Sequence, residues 1–600
     1  MADNEKLVTD IIGKIEQADK DISTKRDEWL QYYKMYRGYR DDMVASGRSA
    51  VSLPVAFEWV EVVKSRLFDV FCGKKPYVRV RGREASDDYA AKGIQAWQNY
   101  QYDIAKYKQF IRDQISAVLI FGTCVGKIYW KYQEGKRDIP TPIFPQYPEM
   151  GSIPQEQTVT IYDNVCMDYV DPFDFSMDPD ALTVDEAEWC SHKVRRDEDY
   201  IIRMAKLGIY KNVNEMIQEV RDGSGRETNQ NKEAISSIEG HTPNKGNLMK
   251  PFDIIEYCED DRIITIGNGK HLLQDKPNKN RKKMYVLGKI ISVPNEPWGI
   301  SLIEAGAQSA KVMEDLLNNG MDNLNFSVNQ MFGVDEDKIE DTELVSSPGK
   351  FFHTRGNPQD AIFPLKGSDV APSLFNFFAL MSDISKRVTG VNDYMTGQSN
   401  QNRTATEASL LTNEAAKRIG LHINVFGDTF IGPVAEMVHQ LNGKYSTAEN
   451  VVRVTSSSAD PYEMVRVTPE MFGANVDFIW ESEDRELNNM VAVQQLTQAL
   501  TIAQSNPSLW GTIPIIFYKI LEKYGMHEND ELMKMIEAGK QMAMMMMLQT
   551  GMQGAMMGAE GGGPPGMANP QKLASGQGNV SQSMGKKTTP QHGSVTQVRG

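Results

Sequence analysis

SLIEAGAQSAKVMEDLLNNGMDNL, residues Ser301 to Leu324, is the stretch on which the fold turns. Ser301 and Glu304 stand in the Ser-x-x-Glu arrangement that closes the first turn of a helix. Leu302, Gly306, Ala310, Met313, Leu317, Met321 and Leu324 then recur at three-to-four spacing and hold one face. Phe326 to Leu365 reads differently, as a compact β-rich excursion containing KFFHT and several turn residues. Pro372 to Thr389 returns to a helical pattern, with proline in the first turn and Gly390 just past the end. Lys386 and Arg387 fall in its last turn, where the helix dipole favours cations. A polar loop, NDYMTGQSNQNR (Asn392 to Arg403), leads to a second capping box at Thr404 and Glu407. The helix starting there keeps one apolar face from Ala408 through Leu411, Ala415, Ile419, Ile423, Phe426, Phe430, Val434 and Val438 to Leu441. At about 1.5 Å per residue it spans more than about 50 Å. Gly432-Pro433 predicts a kink in it, because proline lacks the N–H and crowds the preceding turn.

Upstream, Thr24 to Arg40 is predicted helical, with Trp29, Tyr32, Tyr33, Tyr36 and Tyr39 on one face. A second helix fits Phe57 to Phe71, striped by Val60, Val63, Leu67 and Val70 and stopped at Gly73. Pro76 opens the alternating run YVRVR, and a third helix is predicted from Asp87 to Phe121. From Thr123 to Val293 the pattern is short strands: Val125 to Tyr132, Val159 to Val170, Ile254 to Tyr257 and Ile263 to Ile266. Ile139 to Pro154, with five prolines, and the polar Arg221 to Lys250 read as loops. Past the long helix, strands return from Val451 to Trp480 and helices from Glu486 to Leu548. The last fifty residues are Gly/Met/Gln/Ser-rich and are predicted to be disordered. The fold class is α+β.

Composition narrows the function. Six hundred residues exceed one core, so about two to four packed regions are expected. The most apolar run, QMAMMMML (Gln541 to Leu548), is far short of the roughly 20 residues of a membrane span. The opening MADNEKLVTD shows no basic-then-apolar leader, which predicts a chain that stays where it is made. Cys72, Cys124, Cys166, Cys190 and Cys258 are odd in number and scattered, which argues against a disulfide framework or a zinc site and for a reducing cytoplasm. A net charge of -15 argues against a protein that grips DNA tightly through its overall charge, while leaving one along which DNA slides.

Catalytic motifs fail one by one. Gly122-Thr-Cys-Val-Gly126-Lys127 has three residues between its glycines where a phosphate loop has four, and Ile128 stands where Ser or Thr belongs. A helix-to-strand turn is the better reading. The acidic run from Asp171 through Asp174 and Asp178 to Asp180 lacks the central glycine and terminal glutamate of a calcium loop, so turns are expected. His192, His241, His271, His353, His422, His439, His527 and His592 form no His-Glu-x-x-His, and no Gly-x-Ser-x-Gly accompanies them. The Met-rich run Met533 to Met557 reads as a helix that packs on other subunits and then frays.

The order of elements, capped helix, β excursion, helix, polar loop and long kinked helix, resembles the portal proteins of tailed bacteriophages. Local stretches are similar as well: RSAVSLPVAFEWVEVVKSRLFDVFCGKKPYVRV (Arg48 to Val80), VDPFDFSMDPDA (Val170 to Ala181) followed by Glu188-Trp189, PWGISLIE (Pro297 to Glu304) and TGVNDYMTGQSNQNRTATEASLL (Thr389 to Leu411). The likeness runs from about Asp27 to Trp480, and size and helical C-terminus lean towards the short-tailed type.

The resemblance implies a division of the chain. Residues 1–300 form N-terminal helices and an α/β wing, 301–325 and 366–390 a helical stem, and 326–365 a β-rich clip. Residues 391–403 form a tunnel loop, 404–443 the long kinked helix, 444–484 wing strands, 485–550 a helical crown and 551–600 a disordered tail. It further implies a ring of twelve subunits at one capsid vertex of the virion, assembled in the host cytoplasm, through which double-stranded DNA is packaged and ejected. The partners implied are the terminase large subunit, tail adaptors, and the major capsid and scaffolding proteins. No membrane, cofactor, metal or catalytic residue is implied. Lys386, Arg387, Asn392, Gln398, Asn400, Gln401, Asn402 and Arg403 are the candidates for the DNA channel. Lys350, Phe351, Phe352, His353 and Thr354 are those for docking terminase and adaptors. The rivals are a packaging ATPase or nuclease, which needs the phosphate loop that is missing, and another head-tail structural protein.

Overall fold

Helix α1 (Ala2–Arg37) starts well before the predicted Thr24, because its first half also has an apolar stripe. Val8, Ile11, Ile15 and Ala18 lie on Trp189 and on Ile255, Tyr257, Ile264 and Ile266 of a sheet described below. Its second half carries Trp29, which is fully buried and edge-on to Phe173 and Trp298. The computed structural model describes residues 2–40, 48–84, 86–142, 152–221, 230–240, 252–328, 331–339, 351, 353–355, 357–365, 371–391, 418–447, 450–453, 464–480 and 496–504, with single positions between 513 and 520.

Helix α2 (Val55–Cys72) buries Val60, Val63 and Leu67 as its stripe predicts, and β1 (Arg79–Gly82) follows. The single helix expected from Asp87 to Phe121 is two, α3 (Asp88–Ile104) and α4 (Tyr107–Phe121). The chain breaks at Lys106, whose φ is 56°. Tyr102 and Tyr107 would stand about 140° apart on one continuous helix. The break instead stacks their buried rings 4.5 Å apart.

At Gly122 α4 ends and β2 (Thr123–Pro142) begins. The φ of Gly122 is +78°, and a Cβ there would sit 2.7 Å from the Ser301 nitrogen. Only glycine fits a left-handed residue this close to another backbone. β2 pairs antiparallel with β3 (Ser152–Val170), so the outer parts of the proline-rich segment predicted as a loop, residues 139–142 and 152–154, extend a long hairpin. Proline at both outer positions is compatible with edge strands. The chain goes on through β4 (Phe175–Met177), β5 (Cys190–Arg196), α5 (Glu198–Lys206) and α6 (Val213–Arg221). Within the segment predicted as the Arg221 to Lys250 loop, α7 (Gln230–Ile238) is helical, with Ala234, Ile235 and Ile238 packed on the core. Strands β6 (Phe252–Cys258), β7 (Arg262–Gly267), β8 (His271–Pro277) and β9 (Tyr285–Lys289) complete the region. Two antiparallel sheets result, β4-β5-β6-β7-β8 and β3-β2-β9. All five cysteines are free, although the fold sets Cys190 directly opposite Cys258 across two strands.

Helix α8 (Leu302–Val328) runs four residues past its predicted end, into the stretch assigned to the clip. There β10 (Met331–Val334) pairs antiparallel with β11 (Ile362–Leu365), which follows the one-turn helix α9 (Pro358–Ala361). Thr354 bridges to Ile339, but the described part of KFFHT is not otherwise a strand. Helix α10 (Ala371–Thr389) returns, and Gly390 stops it at a φ of +76°. The start of the long helix at Thr404, and the loop before it, lie outside the described residues. Its described part is α11 (residues 418–426), a π-helical turn at Gly427–Ile431, and α12 (Gly432–Tyr445). The π-turn takes the place of the kink predicted at Pro433. It puts that proline in the first turn of α12, where a missing N–H is harmless. Phe430 from this turn is fully buried and lies over Gly126 of β2 and Gly288 of β9, two positions where a Cβ would strike its ring.

Strands β12 (Asn450–Arg453) and β13 (Met464–Val467) pair with each other, and β14 (Val476–Ile479) pairs with β1. Residues 496–504 are helical, as expected there. The Met-rich run and the tail beyond it lie outside the described residues.

Candidate channel and docking surfaces

The α8–α10 hairpin is fixed to the body at one end. Ser301 Oγ accepts from the amides of Ile303 and Glu304 at 2.9 and 3.1 Å, and the Ser301 amide donates back to Glu304 at 3.4 Å, which makes the predicted capping box. Lys25 of α1 holds the same Glu304 carboxylate at 3.3 Å. At Gly306 the α8 backbone touches Trp59 of α2 and comes within van der Waals reach of Thr389 on α10, so a side chain there would push the three helices apart. Farther along, the extended residues Ser49 to Leu53 run beside α8. Asn318 accepts from the Val51 amide at 2.7 Å and donates to its carbonyl at 3.0 Å, as a neighbouring strand would. Glu314 accepts from the Leu53 amide at 2.9 Å, and Asp322 from the Ser49 amide at 2.6 Å. These bonds satisfy a backbone that has no strand partner.

Beyond Asn318 the hairpin changes character. Met321, Leu324, Phe326 and Val328 of α8 are exposed, Val328 to 73%. So are Phe375, Phe377 and Leu380 of α10, and Phe332, Phe351 and Phe363 at the β tip. Isolated exposed apolar side chains are ordinary, but a band of large ones on two adjoining helices marks a surface that something covers.

The predicted channel cations stand where α10 ends. Lys386 is half-buried, and Arg387 is exposed and pairs with Asp383 one turn back. The cation that caps α10 is another. Arg418 of α11 donates to the carbonyls of Arg387 and Val388 at 2.8 and 2.6 Å. Sequence reasoning missed it; the available signal was a glycine-stopped helix whose last carbonyls need donors. Burial and the neighbouring Arg418 push the His422 imidazole below its ordinary pKa. Asn392, Gln398, Asn400, Gln401, Asn402 and Arg403 lie outside the described residues, as do Lys350 and Phe352. Of the other docking candidates, Phe351 and His353 are exposed and Thr354 is half-buried.

The degraded phosphate loop is a helix-to-strand turn. Lys127 is committed to Glu256, which also accepts from the Tyr285 hydroxyl at 3.1 Å. Burial pushes that carboxyl up, but Lys127, His192 and the Tyr285 hydroxyl together outweigh it and the net shift is downward. The acidic run makes turns. Asp171 accepts from the Phe173 amide at 3.1 Å, and Asp178 from the amides of Asp180 and Glu188 at 3.2 and 3.3 Å. Among the described residues no cluster of His, Cys, Asp and Glu is arranged to hold a metal, and no helix is long and apolar enough to cross a membrane.

An α+β body with a helix hairpin and a β tip fits the tailed-phage portal class. The sequence model of the phage SU10 portal protein family matches residues 7–144 and 144–561, and the chain belongs to that family. No curated protein matches the chain.

Proposed function

We propose that the chain is one of twelve subunits of a closed ring at a single capsid vertex of a short-tailed phage. The ring is the channel for genome packaging and ejection. The observation that carries the ring is the apolar band on α8 and α10, which one subunit leaves uncovered. Heterologous contacts that close on themselves produce cyclic rings. In that ring α8 and α10 act as the stem, and the β tip with Lys350, Phe351, Phe352, His353 and Thr354 docks the terminase and later the tail adaptors. Lys386, Arg387, Asn392, Gln398, Asn400, Gln401, Asn402 and Arg403 face the passing duplex. Twelve copies at -15 each carry about -180, and DNA is itself densely negative. Repulsion from most of the wall, relieved by a few cations, lets the duplex slide. The ring itself hydrolyses no nucleotide.

Native mass spectrometry of the purified chain tests the ring, with twelve copies expected in the capsid-assembled form; a species that stays monomeric under all assembly conditions defeats it. Replacing Lys350 to Thr354 with Gly/Ser is expected to spare the ring and abolish terminase docking. Normal packaging and tail recruitment by that variant would move the docking surface elsewhere.

A further inference from the structure

In a chain of net charge -15, the segment KKPYVRVRGR (Lys74 to Arg83) has five cations in ten residues and no acid. The fold turns that composition into a directed surface. Val78 is buried, and Val80 packs on the cluster of Ile94, Val467 and Phe472, with its amide held by Gln95 at 3.0 Å. Strand alternation sends Arg79, Arg81 and Arg83 to the opposite face, where Arg81 and Arg83 are exposed and Arg79 is half-buried. Three arginines at every second position cover about 13 Å of strand. That is the axial rise of about four phosphates on one DNA strand.

Acids border the row as well. Asp477 of β14 stands opposite Arg81 and accepts from Arg83 at 2.7 Å, Arg79 has a partner of its own, and Glu84, Asp87 and Asp88 follow the row in the chain. At the other end Lys75 pairs with Asp103 at 2.5 Å, but Lys75 and Lys108 both flank the Tyr77 ring, at 5.6 and 5.8 Å, and Lys74 and Lys106 are exposed nearby in sequence. No large apolar side chain is exposed on the outward face of the β1–β14 pair, so the row lacks the apolar centre of a protein interface. β14 also leads directly into the residues predicted to form the crown.

We propose that the Arg79, Arg81 and Arg83 row is a contact surface for the phosphate backbone of duplex DNA, on the body of the subunit and separate from the channel candidates. The inference rests on the portal reading only for the identity of that DNA, the packaged genome. Arginine suits this role because its planar fork pairs with phosphate oxygens through two hydrogen bonds. The exposed Arg83–Asp477 pair costs little to break, so Arg83 can exchange the carboxylate for a phosphate.

The test is fluorescence anisotropy of a labelled duplex against the full-length protein over about 50 to 200 mM salt. The triple variant R79Q/R81Q/R83Q is expected to bind about tenfold more weakly at low salt. Its salt slope should fall by about 2–3, near 0.9 for each phosphate that the variant no longer neutralises. Asp477→Asn, which removes the opposing charge and keeps a hydrogen-bond acceptor, is expected to tighten binding about twofold. Unchanged affinity and slope in the triple variant, or no duplex binding by the parent protein, overturns the proposal. So does loss of ring assembly in the triple variant by native mass spectrometry, which would assign the row to an acidic face of a neighbouring subunit. Salt-dependent, arginine-dependent binding by a protein that never forms rings would sink the ring reading and leave this surface standing.

Discussion

The body and the α8–α10 hairpin solve the problem of apolar surface in opposite ways. In the body, Trp29, Tyr102, Tyr107, Phe426 and Phe430 are almost wholly buried, and helices cover the sheets. In the outer half of the hairpin, Leu324, Val328, Phe375 and Phe363 stand more than half exposed. The two meet where Ser49 to Leu53 is bound along α8 and where Arg418 holds the end of α10. A subunit built this way folds on its body and presents a hairpin whose apolar sides it leaves uncovered, as the proposed ring requires.

The largest effect follows from the body. Phe430→Ala removes a ring seated over two glycines, which have no side chains to take its place. The expected loss is about 3–5 kcal/mol of subunit stability, read from urea unfolding. A loss under about 1 kcal/mol would mean that the body is not the self-sufficient part. Phe375→Ser with Leu380→Ser is the matching change in the hairpin. Both side chains are exposed in the subunit, so its stability is expected to move by no more than about 0.5 kcal/mol while rings disappear from native mass spectra. Rings that survive this double change would put the subunit contact on another face.

How much was legible in the sequence also divides along this line. The α8 capping box, its stripe and the glycine stop of α10 were readable because they are local: a hydroxyl three residues from a carboxylate, a period near 3.6, a left-handed residue. The break at Lys106 was not, since the apolar period runs through it and only the Tyr102–Tyr107 stack makes the reversal favourable. The front half of α1 was missed because its alternating charges hid Val8, Ile11, Ile15 and Ala18, whose partners are more than 170 residues away. At the site, Lys386 and Arg387 were singled out for their place in a last turn, but the cap comes from Arg418, 31 residues beyond Arg387, a distance over which sequence spacing does not show which residues meet. The π-turn was legible as a disturbance near Pro433 and not as its form, which depends on Phe430 reaching two distant glycines.

The join between the regions predicts a smaller effect. Arg418→Ala removes two hydrogen bonds to the last carbonyls of α10 and is expected to cost about 1–2 kcal/mol, felt locally. Hydrogen exchange in the last turn of α10 should speed up while β2 and β9 keep their protection. Arg418→Lys should recover less than half of the loss, because one ammonium cannot reach both carbonyls in the geometry of a guanidinium. Arg387→Ala breaks only an exposed pair within one helix and is expected to change stability by less than about 0.5 kcal/mol. An Arg387 effect equal to that of Arg418 would mean that Arg387 shares in holding the end of α10.

The last effect is a difference in how the two regions respond to acid. Burial, joined by Arg418, lowers the pKa of His422, and burial alone lowers that of His439, whose ring lies 6.1 Å from Phe472 and 5.7 Å from Phe478. Both belong to the body. Each folded-state pKa is below the ordinary value of 6.5, so on acidification the unfolded chain takes up these protons before the folded one does. The stability contributed by the neutral rings is therefore complete above the unfolded value and is lost as pH falls through it towards the folded values. The slope cannot exceed about 1.4 kcal/mol per pH unit for each ring. Urea midpoints are thus expected to drop between about pH 7.5 and 5.5. His422→Gln with His439→Leu should flatten that dependence at some cost in absolute stability. Exchange of the Phe375 to Leu380 amides in unassembled subunits should follow only the chemical rate over the same range, since no histidine lies on α10. A pH dependence that survives the double variant would place the titrating group outside these two rings, and a midpoint that rises towards pH 5.5 would mean that they are not held neutral by burial.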